Sequence, residues 1–126
     1  MSIKKAVYKC EICANVIEEL WDGKTEPQCC NQTMTKLEPN TVDAAKEKHV
    51  PVIERDGNRV TVKLGEVPHP MTKEHYILFI EVVAGEKVYR HDFKEGDEKA
   101  EATFLIEEQD LAARAFCNLH GFWATK

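Results

Sequence analysis

Four of the five cysteines lie within the first thirty residues, as Cys10-Glu11-Ile12-Cys13 and the adjacent pair Cys29-Cys30. This clustering limits the fold more than any other feature. The surrounding segment 1–36 has only short apolar pieces, AVY and VIEELW, around a turn-rich middle of Asp22, Gly23 and Pro27. A segment so poor in core residues does not hold together by burial and needs a staple. Cys-x-x-Cys places two thiols on one side of a tight turn, the first half of a four-sulfur site, and Cys29-Cys30 supplies the second half. Four thiolates imply a tetrahedral site for zinc or iron. Neighbouring side chains of an extended chain point apart, so both sulfurs of the adjacent pair reach one ion only if the backbone bends there. The expected site is therefore distorted. A closed zinc ribbon with a purely structural role fits this spacing too.

The compartment bears on that choice. The opening MSIKKAVYKC has three lysines but neither an apolar run nor a small-residue cleavage site, and no stretch approaches the length of a membrane span. Both features lead us to expect a cytoplasmic protein with no membrane partner, where clustered thiols serve metals rather than disulfides. The formal charge of -5 argues against nucleic acid as a partner, because phosphate binding wants a basic face.

The organisation changes near residue 37. Residues 37–48, LEPNTVDAAKEK, read as a connector with one possible helical turn after Thr41. From His49 onward short β-type runs dominate: HVPVIE, NRVTVKLGE after the turn-forming Asp56-Gly57, YILFIEVVAG, KVYRHDF and AEATFLIEE. Strands at this spacing predict an antiparallel sandwich over 49–126. DLAARAFC fits a short helix as well as a strand.

The fifth cysteine, Cys117, stands three positions before a histidine in CNLHGFW, far from the other sulfur. Of the five histidines, His49, His69, His75 and His120 lie beside strand ends or proline turns, where separate loops can converge. Pro70 biases His69 to an extended conformation, which helps to fix its ring. His91 sits inside KVYRHDF with no turn beside it and is set aside as an ordinary strand histidine.

Taken together, YKCEIC, CCNQTM, TVDAAKEKHVPVIE, HPMTKEHYI and CNLHGFW resemble desulfoferrodoxin, the two-iron class of superoxide reductase, along essentially the whole chain. The resemblance implies a mainly β protein: a small desulforedoxin-like iron domain over 1–36, then the connector, then an immunoglobulin-like catalytic sandwich. It implies two non-haem irons per chain, one on Cys10, Cys13, Cys29 and Cys30, the other on His49, His69, His75, His120 and Cys117. In that family the imidazoles form a plane, the thiolate lies on its axis and the sixth position stays open. Glu47 and Lys48 precede His49 as in the family and take the catalytic roles. The resemblance also implies a homodimer and a small rubredoxin-like electron donor. For Trp123 core packing is the expected role.

The chemistry can be argued without the family. Imidazole suits ferrous iron, and a thiolate opposite an open site donates electron density through the metal to what binds there. Such a centre reduces superoxide by one electron to hydrogen peroxide without releasing oxygen. Lys48 is expected to attract the anion and order a proton-donating water, and Glu47 to ligate the oxidised iron once product has left. A reading of another class makes the chain a non-enzymatic electron carrier or structural metal-binding module, with the four-sulfur iron doing the redox work.

Overall fold

The structure is a computed structural model that describes residues 6–40, 50–64, 71–94 and 96–125. The chain divides into two compact units, Met1–Glu38 and Pro39–Lys126. Every element among the described residues is a β-strand. Among the described residues no helix is long and apolar enough to cross a membrane.

The first unit contains a three-stranded antiparallel sheet in the order β2-β1-β5, built from β1 (Val7–Lys9), β2 (Val16–Glu18) and β5 (Thr35–Lys36). A separate two-stranded hairpin joins β3 (Gln28–Cys29) to β4 (Gln32–Thr33). The buried hydrophobic residues of this unit are Val7, Tyr8, Cys10 and Met34, with Ala6 and Cys29 packed against the last three. Four buried side chains, one of them a cysteine, cannot offset the chain entropy of the segment.

The second unit is an antiparallel sandwich. One sheet runs β10-β7-β6, from β6 (Pro51–Asp56), β7 (Arg59–Leu64) and β10 (Glu101–Leu105). The other runs β12-β11-β8-β9, from β8 (Ile77–Ala84), β9 (Lys87–Asp92), β11 (Ala112–Cys117) and β12 (Gly121–Ala124). Period-two alternation sends Val60, Val62 and Leu64 of β7 inward to meet Ile80 and Val82 of β8 and Ala113, Ala115 and Cys117 of β11. Asn40 closes the fold at its start by a parallel bridge to Trp123, with its N–H donating to the Phe122 carbonyl at 2.9 Å.

The strand runs read from the sequence coincide with β6 to β9 within a residue or two where the residues are described, and AEATFLIEE is strand only from Glu101 to Leu105. The ambiguous DLAARAFC is strand from Ala112 onward, because β8 and β12 flank it on both sides and supply its backbone partners. The helical turn expected after Thr41 lies outside the described residues.

Candidate metal centres

In the first unit the four cysteines converge from two turns. The β1–β2 hairpin loop carries Cys10 and Cys13: the Ala14 N–H donates to the Cys10 carbonyl at 2.9 Å, and Ala14 takes a left-handed φ of 67° that returns the chain to β2. The other turn is Cys30-Asn31, closing the Cys29–Gln32 pair of the β3–β4 hairpin. Both of its residues have left-handed φ, 53° and 61°, the signature of a type I′ turn. This is the bend that an adjacent pair of ligands requires. Asn31 tolerates it readily, whereas at Cys30 the conformation is strained.

The four sulfurs lie within 4.8 Å of one another. Cys13 and Cys29 are 3.6 Å apart and Cys29 and Cys30 3.9 Å. Four sulfurs at about 2.3 Å from one ion stand about 3.8 Å apart at tetrahedral angles, so the donor set fits a metal. The thiols do not share one proton affinity. Backbone N–H groups of Cys13 and then Ile12 lower Cys10 to about 6. Hydrogen bonding to Cys13 and then Cys10 raises Cys29, and hydrogen bonding to Cys13, Cys10 and Cys29 raises Cys30 to about 12. Sulfurs packed this closely need a cation before all of them ionise.

In the second unit the structure brings together His75, Cys117 and His120, whose ligand atoms also lie within 4.8 Å of one another. Cys117 ends β11 and is fully buried, part of the sandwich core, whereas His120 is exposed. The cluster therefore joins the core to the surface. Two irregularities place Cys117 and His120. Along β11 and β8 the register is regular to Phe116↔Phe79 and then slips to Cys117↔Ile77, a bulge that re-aims the thiol at the strand end. A three-residue loop, Asn118 to His120, then closes the β11–β12 hairpin, with Gly121 in the left-handed region at φ 86°. The three-residue spacing of cysteine and histidine is thus the length of that turn.

Cys117 Sγ lies 3.8 Å from His120 Nδ1. Donors at about 2.1 and about 2.3 Å from one ion are about 3.1 to about 4.4 Å apart, so this pair also fits a shared metal. The His75 and His120 rings stand nearly perpendicular, at 77°, with centroids 4.9 Å apart. Backbone bonds tie His75 to Thr72 in both directions, at 2.9 and 3.2 Å. The Trp123 indole N–H donates to the His120 carbonyl at 3.0 Å, so this buried ring supports the loop as well as packing. Asn118 bonds to the backbone on either side of His75, a contact with no signal in the sequence beyond the turn itself. His91 packs edge-on against Phe93 at 4.5 Å and belongs to neither cluster. Glu47, Lys48, His49 and His69 lie outside the described residues.

A chain whose described residues form only strands, with a sulfur-lined knuckle in one unit and a histidine–cysteine cluster at the edge of a sandwich in the other, defines a class of two-centre metalloprotein. The class has a family. Residues 2–37 match the family model described as Desulfoferrodoxin, N-terminal domain, and residues 41–126 that described as Desulfoferrodoxin; the chain belongs to the desulfoferrodoxin family. It is 48% identical to the desulfoferrodoxin of Syntrophotalea carbinolica over 126 residues, covering 100% of this chain and 99% of that one. It is 52% identical to that of Desulfarculus baarsii over 117 residues, covering 93% and 92%. Among solved structures, the superoxide reductase of Treponema pallidum superposes with a TM-score of 0.82 at 30% identity, covering 99% of this chain and 100% of that one.

Proposed function

We propose that the chain is a superoxide reductase, an oxidoreductase that reduces superoxide to hydrogen peroxide without releasing oxygen. The observation that carries the reading is the convergence of His75, Cys117 and His120 at the sandwich edge in a chain of this family. Residues 49–126 form the catalytic domain on this reading, residues 1–36 a desulforedoxin-like iron domain, and residues 37–48 the connector. Cys10, Cys13, Cys29 and Cys30 hold one iron, and His49, His69, His75, His120 and Cys117 hold the other.

Iron at the second site supplies the one electron that superoxide takes up. The chain does the rest. Cys117, buried in the sandwich core, would hold the metal through its thiolate, and a thiolate ligand would make that electron easier to give. His120 brings the site to the surface, where a small anion can arrive. Lys48 attracts the anion and orders the water that delivers a proton, and Glu47 supplies a carboxylate that takes the product's place between turnovers. The protein works as a homodimer in the cytoplasm and takes electrons from a small rubredoxin-like carrier.

The test is anaerobic mixing of the reduced protein with a superoxide source. One peroxide per superoxide, with no oxygen, is the expected result. Oxygen evolution would make the protein a dismutase, and absence of reaction would leave the four-sulfur centre to act as an electron carrier.

A further inference from the structure

Cys117 and His120 share one hairpin, but His75 comes from the other side, on the segment that leads into β8. Something must hold these two segments in register beyond the point where the strand ladder slips. The side chain of Asn118 does so. Its Oδ1 accepts from the Tyr76 N–H at 2.9 Å, its Nδ2 donates to the Glu74 carbonyl at 3.0 Å, and its own N–H donates to the Tyr76 carbonyl at 3.1 Å.

The two side-chain bonds fall on the two peptide units that flank the His75 Cα. The Glu74 carbonyl belongs to the unit before it and the Tyr76 N–H to the unit after it. Thr72 engages the remaining polar groups of the same two units: the His75 N–H donates to the Thr72 carbonyl at 3.2 Å, and the His75 carbonyl accepts from the Thr72 N–H at 2.9 Å. The backbone on both sides of His75 is thereby fixed, and with it the direction in which its ring leaves the chain. At neutral pH a primary amide offers an acceptor and a donor on one planar group of this size, where a carboxylate offers acceptors alone.

We propose that Asn118 is a positioning residue for the second metal centre: its amide clamps the two peptide units around His75 to the loop that carries Cys117 and His120, setting the geometry of the ligand cluster before the metal arrives. The inference rests on the reading of that cluster as a metal site. An aspartate in its place keeps the shape and the acceptor but loses the bond to Glu74, and alanine loses both side-chain bonds. Removing a group that orients a metal ligand weakens metal binding by about 10- to 100-fold.

The experiment uses the iron-loaded full chain and the variants N118A and N118D. Three readouts are taken: release of the second iron to a ferrous chelator, the sulfur-to-iron absorption of the oxidised second centre, and amide exchange of Tyr76. N118A should release that iron about 10- to 100-fold faster, show a shifted or broadened band while still folded, and lose protection at Tyr76. N118D should fall between wild type and N118A. A loop role confined to stability would lower the melting temperature and leave the band in place below it. Should N118A not fold, N118D carries the test. Wild-type release and an unchanged band in the variant that folds overturn the clamp. A wild-type chain without the band overturns the metal reading itself.

Discussion

Gly121 holds φ at 86° in a place where an added methyl group would meet no atom within 4 Å. Any cost of substituting it therefore comes from the backbone and not from crowding. Gly121→Ala should destabilise the second unit by about 1–2 kcal/mol, measured by denaturant unfolding, and asparagine at the same position should recover part of the loss, because it tolerates the left-handed region better. Cys117 poses a different question, since a fully buried thiol is also an ordinary core residue. Cys117→Ser should abolish the sulfur-to-iron absorption of the second centre and leave that of the four-sulfur centre intact. Survival of both bands would return Cys117 to the core.

At the scale of the strands, the four-stranded sheet carries a buried charge. Glu81 of β8 is 1% exposed and accepts from Arg114 Nε of β11 at 2.6 Å, with Arg90 of β9 at 3.9 Å. Arg114 also lies over the Phe122 ring of β12, 5.6 Å from its centroid. One carboxylate thus ties three strands and, through Arg114, engages the fourth. Glu81→Ala leaves two guanidinium groups without that carboxylate and should cost about 3–5 kcal/mol by denaturant unfolding. With Arg114→Ala added, the double variant should lose less than the sum of the two singles. The sequence announced the strands but not this network, because Glu81 in YILFIEVVAG breaks an apolar run and nothing local says which strand will face it. The same limit governs the site. Spacing made the four-cysteine knuckle and the Cys117–His120 turn legible, since each is built within one or two tight turns. The slip at Cys117↔Ile77 and the Asn118 bonds depend on a strand some forty residues away, and DLAARAFC became a strand only through its neighbours on both sides.

The molecule as a whole joins two units held by different means. Among the described residues the first has four buried hydrophobic side chains and the second nineteen. Removal of metal by a strong chelator should therefore unfold the first unit and leave the sandwich folded. Amide resonances of Val7 and Tyr8 should collapse toward unfolded positions while those of Val62 and Ile80 persist. Cys13→Ser should act on the same unit alone. It should bleach the four-sulfur chromophore yet leave single-turnover reduction of superoxide by the prereduced second iron near wild type. Loss of that turnover, with the second iron still bound, would mean that the first centre takes part in the chemistry.

The bridge between Asn40 and Trp123 has a consequence for the life of the chain before it is finished. The first unit is complete once residue 38 has emerged from the ribosome, and all four of its sulfurs are then in hand. The sandwich cannot close, nor its hairpin deliver Cys117 and His120, until β12 has been made through Ala124. The two centres are thus offered to the cell's metal pool one after the other. The thiol-rich knuckle can fill while translation continues, and the histidine–cysteine cluster forms only after the last strand of the sandwich has emerged.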